Sequence, residues 1–316
     1  MTFSSHVAEF AGRPVVEFPL EGPLPTVTGP VSWRVTHPEF DDDKEGALSK
    51  EFAATFERFV AQVGDTVESL VIGAWGYAAF NPAPIAQICA AADRLPALRA
   101  LFLGDMIFEE CEVSWMKVGD VSPLLTAFPD LEVLWVRGGE EFNFSPVQHA
   151  NLRELVVQSG GLSREFVRAV LDSDLPELAD LELWLGTDDY GGTTELADLA
   201  PLLADERFPA LRRLGLCNSM ITDDIAVALA TAPVVRRLEV LDLSNGTLGD
   251  EGAEALLAGQ PLTHLTVLDL HHHYLSAEVA ASVVAALPDV RVNVSDPQEA
   301  DEEDDGESYR YTAVSE

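Results

Sequence analysis

The sequence predicts an α/β solenoid in which one short strand and one helix repeat along the chain, and three observations carry this prediction. The pattern L-x-x-L-x-L begins at Leu238 and returns 27 residues later at Leu265. A polar turn and then a helical run follow each copy, at Asp250–Ala258 and Ser276–Leu287. A period of about 20–29 residues with this leucine spacing is the signature of a leucine-rich repeat.

The predicted architecture follows from how such leucines can be buried. Leucines two apart on a strand point to the same side. One strand and one helix cannot bury them alone, whereas stacked neighbouring repeats share a continuous core. We therefore expect a horseshoe with parallel strands on its concave face and helices on its convex face.

The strand pattern occurs eight times before a degraded ninth copy at residues 290–294. Its leading apolar residues are, in chain order, Val67, Leu98, Leu131, Leu152, Leu178, Leu211, Leu238 and Leu265. Helices are expected between the strands, near residues 84–95, 122–128, 164–171, 195–203, 224–230, 250–258 and 276–287. The repeat that begins at Leu131 is only 21 residues long, which leaves room for little helix.

The chain divides into three predicted parts. Residues 1–63 form an N-terminal capping region, because the end of a solenoid needs a cover for its core. This region holds two β-like runs, Val15–Phe18 and Val31–Val35, and then a helix from about Asp43 to Val63. Residues 64–296 form the solenoid, with about eight to nine repeats.

The third part, residues 297–316, is an acidic tail. It contains eight acidic residues and one arginine. Low hydrophobicity combined with dense like charge cannot offset the loss of chain entropy, so this segment is predicted to be disordered. Solvation is its expected role, and the alternative is a mimic of nucleic acid or an intramolecular cover over the site of a basic ligand.

The charge of the chain limits its partners. A formal net charge of −35, from 54 acidic and 19 basic residues, repels nucleic acid and anionic membranes. The negative charge favours a basic partner. A surface whose acidic residues only keep the chain soluble explains the same charge equally well. No apolar run is long enough to span a membrane, and Cys89, Cys111 and Cys217 form no disulfide framework, which favours the cytoplasm.

The stretch from Leu211 to Leu287 resembles the ribonuclease-inhibitor class of leucine-rich repeat, and the helix opening LGDEGAEAL is its most specific piece. The whole chain also resembles bacterial, actinomycete-type leucine-rich-repeat proteins that begin with F-x-G-x-P-V, here Phe10–Val15. These resemblances imply a parallel-strand horseshoe that binds proteins, and they bring no catalytic residues with them.

Residues between the leucines face the concave sheet, and they suggest a binding surface. Its N-terminal half is aromatic and its C-terminal half acidic. The partner-binding candidates on this face are Phe102, Trp135, Arg137, Glu182, Trp184, Asp242, Asp269 and His271. Aromatic side chains supply much of the energy at protein interfaces. The alternative is that Phe102 and Trp135 fill space beneath a loop or cap.

Three long insertions follow strands at residues 73–82, 104–115 and 186–192. Insertions of this kind map to one rim and often shape a binding site. They add Trp75 and Tyr190 as candidates for partner binding, beside Tyr77, Phe80, Phe108 and Trp115. Some of these rings could instead pack on the neighbouring loop.

A second functional class rests on Asp242, Asp269 and His271. Asp242 and Asp269 should be neighbours on adjacent strands, and two carboxylates with one histidine suit a divalent metal. A metal-dependent or accessory enzyme component is therefore the alternative to a scaffold. Phosphate-loop, zinc-protease and nucleophile-elbow motifs do not occur, so we expect no cofactor and, as the leading hypothesis, a non-enzymatic scaffold that binds a basic protein or peptide.

Overall fold

In the computed structural model, which describes residues 3–37, 46–302 and 308–314, the chain forms two compact units. The N-terminal unit comprises residues 2–158 and 172–175. The C-terminal unit comprises residues 159–171 and 176–315. Each unit consists of consecutive strand repeats, as the leucine pattern predicts.

The strands of the N-terminal unit follow one another in sheet order. They are β1 (Glu9–Phe10), β2 (Arg13–Glu17), β3 (Ser32–His37), β4 (Ser69–Trp75), β5 (Ala100–Leu103), β6 (Val133–Arg137) and β7 (Glu154–Gln158). The first pair is antiparallel and the later pairs are parallel. Leu70, Leu101, Leu134 and Leu155 lie in register and are fully buried, so these leucines form one continuous ladder in the core.

Among the described residues between these strands are the α-helices α1 (Lys50–Val63), α2 (Ile85–Ala90) and α3 (Ser122–Ala127). The Ser49 hydroxyl caps α1 by accepting the N–H of Phe52 at 3.2 Å. The helix buries Phe52, Phe56 and Phe59 against the sheet. It was predicted to start near Asp43, which lies outside the described residues.

The C-terminal unit repeats the same design. Its strands are β8 (Asp180–Gly186), β9 (Arg213–Ser219), β10 (Val240–Asp242), β11 (Val267–Asp269) and β12 (Arg291–Asn293), and these pair in parallel in that order. Its helices are α4 (Arg164–Leu171), α5 (Ala200–Leu203), α6 (Thr222–Leu229), α7 (Asp250–Ala258) and α8 (Ala277–Ala286). Short 3₁₀ helices across the two units span Gly64–Thr66, Ala92–Arg94, Val113–Trp115, Asp188–Tyr190, Leu196–Leu199 and Pro233–Arg237.

The fold class read from the sequence, an α/β leucine-rich-repeat solenoid, is confirmed. Each of the eight predicted strands begins two residues after its predicted leading residue, and the degraded ninth copy is β12. The described residues between β6 and β7 contain no helix, as the short repeat at Leu131 predicts. One difference concerns the predicted cap, because β2 pairs in parallel with β3 and β3 with β4, so the sheet extends through this region.

Equivalent positions at or just beyond the ends of β9, β10 and β11 share an unusual backbone. Asn218, Asn245 and His272 have φ values of 49°, 63° and 55°. This left-handed conformation suits asparagine, whose short polar side chain tolerates it better than most residues. The three residues are 27 apart in sequence and stand in a row at the ends of three neighbouring strands.

The acidic tail is ordered in part. A short antiparallel pair joins β13 (Asp301–Glu302) to β14 (Ser308–Tyr309), and Thr312 and Val314 are buried. The prediction of disorder for residues 297–316 is therefore wrong for residues 308–314, because apolar and hydrogen-bonded contacts hold them on the C-terminal unit. Residues 303–307 lie outside the described part of the chain.

Within the described ranges, none of the helices combines the length and the apolar character that crossing a membrane requires.

Candidate binding surfaces

The predicted aromatic surface of the N-terminal unit is covered by the start of the chain. The open face of the sheet, which we define as the face that points away from the leucine ladder, carries Phe102 and Trp135. The ring of Phe10 packs on both, with centroid distances of 5.8 Å and 5.3 Å. Phe102 is fully buried and Trp135 is partly buried in this cluster. These two rings therefore pack beneath a cap, which was the alternative to a free binding surface.

Charged groups hold the same N-terminal segment in place. Arg34 Nε donates to Asp105 Oδ2 at 3.0 Å, and both side chains are buried. The backbone N–H of Val7 donates to the other oxygen of Asp105 at 3.3 Å. The ring of His6 lies 3.1 Å from Arg34 Nη2. Residues 6 and 7 are thus tied to a buried ion pair.

Arg137 was predicted to face a partner, and the structure places it inside instead. Its Cζ lies 3.4 Å from the centroid of the Phe3 ring, and its Nη1 donates to the carbonyl of Met106 at 2.9 Å. Burial lowers the pKa of Arg137 to about 10, against the opposing charge of Asp105, so the side chain remains charged at neutral pH. Arg137 is a structural residue of the N-terminal unit.

Trp75 and Trp184 are also buried, which corrects their prediction as exposed anchors. Trp75 Nε1 donates to the carbonyl of Asn81 at 3.0 Å, so this hydrogen bond joins the two ends of the first insertion. Trp184 Nε1 donates to Glu182 Oε1 at 2.8 Å. Tyr190 is half-buried at the end of a 3₁₀ turn in the third insertion.

The exposed aromatic surface lies on the first two insertions of the N-terminal unit. Phe80, Phe108 and Trp115 are 48%, 44% and 56% exposed. Backbone hydrogen bonds join the two insertions, since Lys117 N donates to Ala78 O and Ala83 N to Lys117 O, both at 2.9 Å. We call these three residues the aromatic rim.

The open face of the C-terminal unit carries a group of carboxylates around one arginine. Arg213 Nη1 lies 2.9 Å from Asp180 Oδ1, and its Nη2 lies 2.7 Å from Glu182 Oε2 and 3.2 Å from Asp242 Oδ2. Three carboxylates thus share one guanidinium. The strand register pairs Arg213 with Asp180 on one side and Val240 on the other. Two residues further along β9, Glu182 and Asp242 flank Gly215, whose missing side chain leaves room for the ion pairs. Arg213 was not among the predicted residues, although a lone arginine in an acidic row was a signal for it.

The acid group continues on β11. Asp269 Oδ1 lies 2.8 Å from His271 Nδ1, and Asn293 Nδ2 donates to both oxygens of Asp269 at 2.9 Å and 3.1 Å. The hydrogen bond to Asp269 raises the pKa of His271 above its ordinary value, although burial opposes the charge. This favours an imidazolium on the open face in mildly acidic solution.

Burial also changes the neighbouring acids. It raises the pKa of Asp242, and the charges of Glu182 and Asp269 act in the same direction, against hydrogen bonds from Ser244. It raises the pKa of Asp180 as well, because desolvation outweighs the attraction of Arg213. Carboxylates held in this way gain from an added positive charge nearby. We call Asp180, Glu182, Asp242 and Asp269 the acidic face.

The predicted metal centre brings together only some of its ligands. Asp242 and Asp269 are register partners, as predicted. Their oxygens are turned to Arg213, Ser244, His271 and Asn293. Across the described ranges, no group of three or more histidine, cysteine, aspartate or glutamate side chains is arranged to hold a metal ion.

Buried leucine ladders, parallel strands and the turn after each strand define the class: this is an α/β leucine-rich-repeat protein. A Bacteroides fragilis protein of known crystal structure is 31% identical to it, over 81% of this chain and 75% of that one, with a TM-score of 0.73. The chain belongs to the same family as this protein.

Other comparisons are more distant. An internalin from Listeria monocytogenes is 16% identical over 73% of this chain and 55% of its own, with a TM-score of 0.39. A leucine-rich-repeat protein from Leptospira interrogans is 17% identical over 83% and 60%, with a TM-score of 0.34. No family model and no curated protein matches the chain.

Proposed function

We propose that the protein is a non-enzymatic scaffold that binds a basic segment of a partner protein on the acidic face. The observation that carries this proposal is the ratio of charges there: four carboxylates share Arg213 and the imidazole of His271. Lysine or arginine side chains of a partner would supply the missing positive charge. Solenoids commonly bind partners on the face formed by their strands.

The aromatic rim is proposed as a second contact surface, which belongs to the N-terminal unit. Large exposed rings on hydrogen-bonded loops suit protein contacts, because they bury much area with little loss of conformational entropy. They replace in this role the buried rings of Trp75, Phe102 and Trp184 and the partly buried ring of Trp135. The Trp115→Ala variant is expected to weaken partner binding by about 2 kcal/mol, while Val227→Ala, at a 45% exposed position on α6, leaves it unchanged.

Charge and cysteines support the same proposal. The net charge of −35 favours basic partners over nucleic acid and anionic membranes. Cys89, Cys111 and Cys217 are free thiols, which suits a reducing compartment such as the cytoplasm. Electrostatic attraction of this kind acts mainly on the rate of association and weakens as salt is added.

The experiment compares basic, neutral and acidic peptides of matched length by fluorescence anisotropy. The test variant is Glu182→Gln/Asp269→Asn, which neutralises two charges on the acidic face. The matched control is Glu251→Gln/Glu254→Gln, which neutralises two exposed charges on α7. We expect the basic peptide alone to bind, with affinity lost at high salt and in the test variant.

Two outcomes would contradict the proposal. Binding without preference for the basic peptide would remove the electrostatic argument. An equal loss of affinity in the two double variants would mean that net charge, and not the acidic face, attracts the peptide.

A further inference from the structure

The row formed by Asn218, Asn245 and His272 does more than close the turns of three repeats. It lies at the ends of β9, β10 and β11, beside the open face, and the last described residues of the chain cross it. Since the three positions are equivalent in successive repeats, the row offers regularly spaced polar groups to an extended peptide.

The row binds the backbone of residues 311–314. Asn218 Oδ1 accepts the N–H of Val314 at 3.0 Å, and Asn218 Nδ2 donates to the carbonyl of the same residue at 2.5 Å. The carbonyl of Asn245 accepts the N–H of Ala313 at 2.9 Å. His272 Nε2 lies 3.4 Å from the carbonyl of Tyr311. Contacts to backbone groups of this kind hold an extended peptide whatever its sequence.

A tyrosine adds a further pair of backbone contacts. The hydroxyl of Tyr274 donates to the carbonyl of Tyr311 at 2.9 Å and accepts its N–H at 2.8 Å. Asn218 and Tyr274 thus each contact both backbone groups of one tail residue. The side chain of Tyr311 is itself 55% exposed, so it does not select the sequence.

Sequence preference comes from the two ends of the segment. Arg310 Nη1 lies 2.9 Å from Asp223 Oδ2 and donates to the carbonyl of Thr247 at 3.1 Å. The Cζ of Arg310 lies 5.6 Å from the ring centroid of Tyr274. At the other end Val314 is 2% exposed. An arginine and an aliphatic side chain four residues later are therefore the anchors.

The arginine anchor borders an open pocket. Its volume is about 440 Å³, and its lining includes Met220, Asp223, Asp224 and Thr247 together with Tyr309 and Arg310 of the tail. Two carboxylates in this lining favour a cation.

We propose that this row, with Asp223 and Tyr274, is a peptide-binding site, and that residues 310–314 occupy it as a tethered ligand. The partner it fits is an extended segment with arginine at the first position, small residues at the third and fourth, and an aliphatic residue at the fifth. Such a segment competes with the tail for the site. The proposal does not depend on the acidic face, because none of its contacts involves Asp180, Glu182, Asp242 or Asp269.

The test uses the full chain with the tail released by Arg310→Ala/Val314→Asp. The probe is a labelled synthetic peptide with the sequence of residues 308–314, and the reference peptide carries the same two substitutions. A tethered ligand competes at an effective concentration of about 1 mM, so we expect the probe to bind the released variant at least about tenfold more tightly than the unmodified chain. The reference peptide is expected to bind neither.

Two further substitutions in the released background locate the site. Asn218→Ala is expected to reduce probe affinity at least about tenfold, because it removes both contacts to Val314. Asn293→Ala, the same change at the acidic face, is expected to leave it unchanged. Tyr274→Phe deletes one hydroxyl without a change of shape. If Asn218→Ala does not fold, a loss of probe affinity in Tyr274→Phe also places the peptide at this site.

Hydrogen exchange in the unmodified chain provides a second measurement. The amides of Ala313 and Val314 are expected to be protected, and Tyr274→Phe to reduce that protection. Equal binding of the probe to the released and unmodified chains, or equal binding of probe and reference peptide, would overturn the proposal. Failure of the acidic-face experiment with success here would reject only the proposed function.

Discussion

Phe10 packs edge-on against Trp135, with ring centroids 5.3 Å apart and an interplanar angle of 71°. This contact covers part of the open face of the N-terminal unit. Phe10 belongs to the short strand that opens the sheet, and its ring is buried where a partner was expected. The aromatic part of the open face is therefore core.

The Phe10→Ala variant is expected to lose about 3–5 kcal/mol of unfolding free energy, because it leaves a ring-sized cavity against Phe102 and Trp135. Chemical denaturation would measure the loss. Tryptophan fluorescence should shift to longer wavelength as water reaches Trp135. Phe80→Ala, at a 48% exposed position, serves as the control and should change the stability by no more than about 0.5 kcal/mol. Equal losses in the two variants would show that Phe10 is not core.

Replacement of Arg213 by methionine is expected to destabilise the C-terminal unit by about 2 kcal/mol at neutral pH. The change leaves Asp180, Glu182 and Asp242 without their shared partner. Denaturation at several pH values would measure it.

The loss in Arg213→Met should shrink as the pH falls. Burial already raises the pKa values of Asp180 and Asp242 above their ordinary 3.8, so the folded state holds more protons than the unfolded state just above that pH. For such groups stability falls as the pH rises through the folded pKa. Without Arg213 the folded pKa values rise further, and the penalty at neutral pH grows. A loss that does not depend on pH would contradict this account.

The sequence predicts the repeat far better than it predicts the site. Leucine spacing places all eight strands because burial on one side of a strand repeats every second residue. It also predicts that Asp242 and Asp269 are neighbours. Periodicity cannot show which open-face residues are covered by another segment of the chain. Phe10 covers Trp135 and Phe3 covers Arg137, although each pair lies far apart in the sequence.

The acidic tail illustrates the same limit. Its composition predicts disorder, because dense like charge with few apolar residues does not offset the loss of chain entropy. Residues 310–314 carry no acidic residue, however, and their contacts are with turn positions of distant repeats. Composition averaged over the whole tail does not reveal that so short a segment is bound. Asn218 and Asn245 are visible in the sequence as turn residues, but their second role depends on the tail.

Two glycines in the third insertion allow the stability cost of a steric clash to be separated from that of a left-handed backbone. Gly186 has a φ of 68°, and a β-carbon there would lie 1.8 Å from the carbonyl oxygen of Gly160. Gly191 has a φ of 87° with open space around it. Gly191→Ala should therefore cost only about 1 kcal/mol, the penalty of the left-handed backbone.

Gly186→Ala is expected to cost at least about 3 kcal/mol, because backbone must move to admit the methyl group. Thermal unfolding of the two variants provides the comparison. Similar melting temperatures would show that the close approach of Gly160 to Gly186 is not rigid.

The Asp269→Asn variant is expected to lower the pKa of His271, which the hydrogen bond to Asp269 holds above its ordinary 6.5. A histidine with a raised folded pKa contributes stability that is fully present below about pH 6.5 and is lost as the pH rises through the folded pKa. Asp269 has a pKa below its ordinary 3.8, since its hydrogen bonds from His271 and Asn293 outweigh burial, so its contribution is lost as the pH falls through that lowered pKa. The pair thus stabilises the fold between these limits.

Titration of the His271 ring by NMR would follow the change. Asp296→Asn serves as the control, because Asp296 acts on His271 only through its charge and its loss should lower the pKa of His271 less. An unchanged titration of His271 in Asp269→Asn would mean that the hydrogen bond to Asp269 does not set the protonation of His271.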